Sequence, residues 1–101
     1  MSPLESSIHQ ALKEVYDPEI PINVVDLGLI YEIRECADMK IYIKMTVTAP
    51  HCPAANFLPE QVRQVAQAVT GVGEVEVELV MEPGWQKHNL SPEARKILGY
   101  R

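Results

Sequence analysis

Cys52 is the residue of this chain whose type and setting best suit chemistry. It lies in Thr46-Val47-Thr48-Ala49-Pro50-His51-Cys52-Pro53, a stretch that follows an alternating run and carries two prolines. Thiolate sulfur is the form of cysteine that ligates metals and attacks electrophiles. Pro53 suits the first turn of a helix, where no backbone donor is needed. A sulfur beside the unsatisfied N–H groups of such a turn would have its thiolate stabilised by the positive end of the helix. The plain alternative is a small buried cysteine filling space at a strand end; the position favours the functional reading. One sulfur cannot hold a cluster alone, because the usual clusters take four cysteines.

Other residues could complete a site. His51 adjoins Cys52 and could lower its pKa or add a nitrogen ligand, although a loop histidine is more often simply solvated. Thr46 and Thr48 fall on the strand face opposite Ile43 and Val47, so their hydroxyls are expected on the polar side, beside the cysteine loop. Threonine is also an ordinary strand residue, and that reading stays open. Asp17, Glu19 and Asp26 flank the proline loop Asp17-Pro18-Glu19-Ile20-Pro21, where carboxylates could ligate a metal or move protons. Asp17 and Asp26 could equally bond nearby backbone N–H groups, as Asx turns do. Trp85, the one tryptophan, falls in a loop after the last strand, either as a lid on the core or as an anchor for a partner. Cys36, His9 and His88 suggest no chemistry.

The elements that must position these residues follow from pattern. Ser2-Pro3-Leu4-Glu5 has the form of a capping box with proline at the first helical position. Leu4, Ile8, Leu12 and Val15 recur at helical spacing, predicting a first helix to about residue 15. The prolines at 18 and 21 stop it. Asn23 to Gly28 reads as a capped turn closed by glycine. Residues 30–36 and 40–48 read as strands joined through Ala37-Asp38, the second with Ile41, Ile43, Met45 and Val47 on one face. Phe57, Leu58, Val62, Val65, Ala66 and Val69 mark a second helix, and residues 74–81 a third strand, acidic on one face. Ser91-Pro92-Glu93 caps a last helix that Gly99 closes. The expected fold is a two-layer α+β domain of order α-β-β-α-β-α, with a three-stranded mixed sheet and helices mainly on one face. Its two strands joined across a helix should be parallel.

Composition bounds the function. The 101 residues are expected to form one domain over 1–101, and 47% hydrophobic with 23% charged residues is ordinary globular usage. A net charge of −5 argues against nucleic acid, which needs a basic stripe. No apolar run is long enough to span a membrane, and the N-terminus lacks the pattern of a signal peptide. Two cysteines are too few for a disulfide framework, and no Cys-x-x-Cys pair is present, so reduced thiols and a cytoplasmic location are expected.

Four stretches in order resemble the iron–sulfur cluster assembly (FSCA-like) domain family, once described as a domain of unknown function, which includes the bacterial SufT and PaaD proteins. They are residues 17–31, residues 45–53, Gly71-Val72-Gly73-Glu74-Val75-Glu76-Val77, and Trp85 with Leu90-Ser91-Pro92-Glu93-Ala94-Arg95. The resemblance covers nearly the whole chain. It implies a non-enzymatic role in maturing iron–sulfur proteins, with the family's reactive cysteine falling on Cys52. It also implies an acidic pair at Asp17 and Glu19 and a threonine pair at Thr46 and Thr48, gathered around Cys52 as a shallow site. Where the family commonly has glycine before the cysteine, this chain has His51. No cysteine follows Cys52 in these residues, so the SufT-like, stand-alone form is expected over PaaD, whose C-terminal cysteine-rich extension provides a metal site.

Three functions are thus in play. In the leading one, Cys52 is a transient ligand for iron, sulfide or a cluster. No cofactor would be stably bound. Its partners would be the assembly machinery, client apo-proteins and a second copy of the chain. The others are a small thiol enzyme with Cys52 as nucleophile, and a docking module that meets clients through Trp85 or the acidic face of Glu74, Glu76 and Glu78.

Overall fold

The computed structural model describes residues 2–17, 22–48, 57–82, 84–86 and 89–99. Its first helix, α1 (Pro3–Leu12), starts where its cap dictates. The Ser2 hydroxyl accepts the Glu5 N–H at 3.1 Å, and the Glu5 carboxylate accepts the Ser2 N–H at 2.8 Å. Two of the donors that every helix start leaves without an intrahelical partner are thereby satisfied. Ile8 and Leu12 face inward. The helix ends short of Val15: the N–H groups of Lys13, Glu14 and Val15 bond three residues back, to Gln10, Ala11 and Leu12, and the Val15 carbonyl then accepts the Val24 N–H at 2.8 Å, a tertiary pairing.

Two strands follow, β1 (Ile30–Glu35) and β2 (Lys40–Met45), joined by a 3₁₀ turn at Ala37–Met39. Helix α2 (Leu58–Gln67) leads to β3 (Glu74–Leu79), and α3 (Pro92–Leu98) closes the order α-β-β-α-β-α. The sheet order is β1-β2-β3, with β1 antiparallel and β3 parallel to β2. It is the mixed sheet that the pattern predicts. Each strand ends earlier than its alternation suggests, at Glu35, Met45 and Leu79. The β1–β2 register also shifts between Ile30 and Glu32, leaving Tyr31 as the extra residue of a bulge.

Helix α1 packs on β1 and α2, and α2 on β3, so these helices cover one sheet face. Ile41, Ile43 and Met45 of β2 lie fully buried with Leu58, Val62 and Ala66 of α2. The other face carries Glu32, Arg34, Lys40, Tyr42, Lys44, Glu76 and Glu78. There Arg34 stacks over the Tyr42 ring at 4.9 Å and Lys40 pairs with Glu76 at 3.6 Å. The Tyr42 hydroxyl donates to the Glu78 carboxylate, which pushes its pKa up to about 12. Among the described residues no helix is long and apolar enough to cross a membrane.

The Glu5 carboxylate reaches beyond its own helix. Its second oxygen accepts the N–H of Glu35 at 2.7 Å, on the outer edge of β1. That bond, then the one from Ser2, holds the Glu5 carboxyl below the usual carboxylate range. A depressed carboxylate contributes stability above its unfolded pKa and loses it as pH falls through the folded value. The docking of α1 on the β1 edge is therefore expected to weaken only on acidification below the ordinary glutamate range. The protection factor of the Glu35 amide in hydrogen exchange should drop there, and Glu5→Ala should lower it severalfold already at pH 7.

Candidate functional site

Of the predicted site residues, Thr46 and Thr48 follow directly on the C-terminal end of β2. Alternation along β2 stops at Met45, and Met45, Thr46 and Val47 are buried in succession. The chain is held on both sides there. The Thr46 N–H donates to the Leu29 carbonyl and the Met45 carbonyl accepts the Val80 N–H, each at 2.8 Å. Thr46 is consequently 1% exposed, not on the solvent side that strict alternation assigns to it. Thr48 is half-buried. Alternation places side chains correctly only while the strand keeps its pleat, and the pleat ends one residue before Thr46.

Asp17 approaches the same region through the backbone. Tyr16 bridges to Asn23, and the Asp17 N–H points to the Ile22 carbonyl at 3.4 Å. From there Val24 bonds to Val15, Leu29 to Val24 and Thr46 to Leu29, with N···O distances of 2.8, 3.0 and 2.8 Å. Three backbone hydrogen bonds thus tie the Val15–Asp17 segment to the end of β2. Asp17 is 3% exposed, and Asp17 and Thr46 are the buried polar residues among those described. A buried carboxylate and a buried hydroxyl are costly unless hydrogen bonds or a ligand compensate them.

The remaining candidates divide. Glu19, His51 and Cys52 lie outside the described residues. Helix α2 opens at Leu58, with Phe57 as its cap residue and Pro59 in its first turn, so Pro59 holds the opening position that the sequence suggested for Pro53. Asp26 is engaged locally: its N–H donates to the Asn23 side-chain oxygen at 2.9 Å, and its carboxylate accepts from the Asn23 amide at 2.8 Å. Among the described residues no three His, Cys, Asp or Glu side chains are grouped to hold a metal.

Trp85 folds back onto the core. Its ring packs against the buried cluster, and its indole N–H donates to the Leu27 carbonyl at 2.6 Å. Ser91 N–H bonds to the Asp26 carbonyl at 2.8 Å, while Leu90 and Ala94 are buried beside them. The C-terminal segment therefore clamps the residue 22–29 turn, which in turn holds Thr46. The sequence reading of Trp85 as a lid on the core agrees with this placement; what it could not name are the acceptors, the backbone carbonyls of Asp26 and Leu27, which carry no residue-type signal.

Comparison with known proteins bears on this arrangement. Residues 5–79 match the family model described as iron–sulfur cluster assembly protein. The chain is 49% identical to an Fe-S protein maturation auxiliary factor of Porphyromonas gingivalis, over 95% of its own length and 91% of that protein. It is 33% identical to the Fe-S protein maturation auxiliary factor SufT of Staphylococcus aureus, over 84% of its length and 97% of the relative. A crystal structure of a domain of unknown function from Bacillus anthracis superposes with a TM-score of 0.90 at 34% identity, covering 97% of this chain and 93% of that one. By its matched residues and its fold, the chain belongs to the iron–sulfur cluster assembly protein family.

Proposed function

We propose that the protein is a cytoplasmic, non-enzymatic maturation factor in which Cys52 transiently ligates iron or an iron–sulfur cluster as cargo on its way to client proteins. One observation carries this reading: the family match over residues 5–79 spans Asp17, Glu19, Thr46, Thr48, His51 and Cys52 together. The joint burial of Asp17 and Thr46 supports it, since both belong to the residue set that the resemblance assigns around the sulfur. In this reading Thr46, Thr48 and the two acids shape the pocket around the thiolate, and His51 offers a further nitrogen. The cargo is shared with a partner or a second copy of the chain, because one thiolate supplies a quarter of the usual ligand set.

The test is anaerobic incubation of the chain with ferrous iron and sulfide, followed by measurement of bound iron and of transfer to an apo-client. Cys52→Ser should lower both at least about tenfold, the scale on which a lost metal ligand is felt, since even outer-shell partners are worth about 10–100-fold. Its thermal unfolding should match the parent. Equal iron binding and transfer by Cys52→Ser would remove Cys52 from the mechanism.

A further inference from the structure

The two edges of the sheet are treated differently. On β1 the outer N–H of Glu35 is capped by Glu5, and the Ser2 hydroxyl donates to the Glu35 carboxylate, so the first helix start blocks that edge. On β3 nothing among the described residues pairs with the outer edge. The β2–β3 register runs unbroken from Lys40↔Glu74 to Met45↔Leu79. Edges left open, long and unbulged are templates for another strand.

Direction can be assigned to this edge. The Val80 N–H donates to the Met45 carbonyl in β2, so by alternation the backbone groups of Glu76 and Glu78 also face β2. Those of Val75, Val77 and Leu79 face outward. Their side chains line the helix-covered side, while Glu74, Glu76 and Glu78 stand exposed on the open face. An added strand would thus meet apolar neighbours on one side and, on the other, the carboxylates of Glu74, Glu76 and Glu78, the last two also engaging Lys40 and Tyr42 of β2. A second copy of β3 fits poorly, because glutamates would face glutamates across the pair, and like charges directly opposite are destabilising. A second copy of β1 is disfavoured, because the outward N–H of its Glu35 is already taken by Glu5.

We propose that the outer edge of β3 is a docking strand for an extended segment of a partner protein in which lysine or arginine alternates with apolar residues. Opposite charges across the strand pair supply selectivity, the outward N–H and C=O groups of Val75, Val77 and Leu79 supply the ladder, and the chain's net charge of −5 favours approach of a basic segment.

The test uses the full chain and a fluorescent synthetic peptide of four lysine–valine repeats, with binding followed by anisotropy. Saturable binding is expected, weakened about tenfold in the Glu74→Gln/Glu76→Gln/Glu78→Gln triple variant on the scale of three lost cross-strand charge pairs. Two further peptides, N-methylated at every lysine or at every valine, keep the charge and block one backbone edge each. At least one of them should lose binding, because one set of amides must face β3. If both methylated peptides bind like the parent, the attraction is side-chain charge alone and the docking strand is overturned. Absence of binding by the parent peptide, or binding indifferent to the triple variant, overturns it equally. These outcomes are independent of Cys52 and of any cargo.

Discussion

Gly28→Ala is expected to destabilise the domain by about 3–5 kcal/mol, a drop in Tm of roughly 15 °C or more for a domain of this size. Two costs combine. Gly28 has φ +79°, a left-handed backbone in which a Cβ is strained. A Cβ built there would also lie 2.1 Å from the Asn89 carbonyl oxygen and 2.6 Å from its carbon. Backbone cannot swing aside as a flexible side chain can, so the turn or the C-terminal segment must shift. Gly99→Ala is the internal control. Gly99 has φ +80°, yet nothing lies within 4 Å of its would-be Cβ, so only the conformational cost of about 1–2 kcal/mol remains. Thermal unfolding of both variants by circular dichroism separates the contributions. Similar losses in the two would mean that Asn89 does not press on Gly28. Because the Gly28 turn carries Leu29, whose carbonyl holds the Thr46 N–H, the first variant should also impair any cargo transfer that depends on Thr46.

Gly28 also shows how far the sequence could be read. Its place at the end of Asn23-Val24-Val25-Asp26-Leu27-Gly28 announced a turn, since local capping chemistry needs only neighbouring residues. The same holds for Ser2 with Glu5, for Ser91 with Gly99, and for the alternation of Ile41, Ile43 and Met45; each is decided within a few positions. The packing of Asn89 against Gly28 was not legible, because it joins segments distant in sequence through backbone atoms. Thr46 failed for a related reason. Its burial is set by Leu29 and Val80 on either side, and neither appears in the local pattern that placed it on the solvent face. Of the site, Asp17 was named from a motif, and its burial rests on the bridge between Tyr16 and Asn23 across a proline loop. Residue types thus nominated the candidates, while tertiary backbone pairing decided that Asp17 and Thr46 went inside.

Trp85 tests that division, because its ring and its N–H contribute separately. Trp85→Phe keeps an aromatic ring against the core and removes the donor to the Leu27 carbonyl, a loss of about 1 kcal/mol. Trp85→Ala removes the packing as well. A buried tryptophan truncated to alanine costs about 3–5 kcal/mol, and since Trp85 is half-buried the lower end applies. On the scale for domains of this size, Tm should fall about 4–8 °C for the first variant and at least about 12 °C for the second. A partner anchor would behave otherwise: both substitutions would spare Tm and weaken client binding, in proportion to the indole surface lost. The clamp geometry makes a further demand that an anchor would not. Loss of Trp85 frees the residue 22–29 turn at Leu27, two residues from the Leu29 carbonyl that accepts the Thr46 N–H. Hydrogen exchange at the Thr46 amide should therefore quicken in Trp85→Ala, ahead of the amides in the middle of β2. An effect at Thr46 without one at Ile43 would show that the tryptophan stabilises the site from behind, by holding the turn on which the buried threonine hangs.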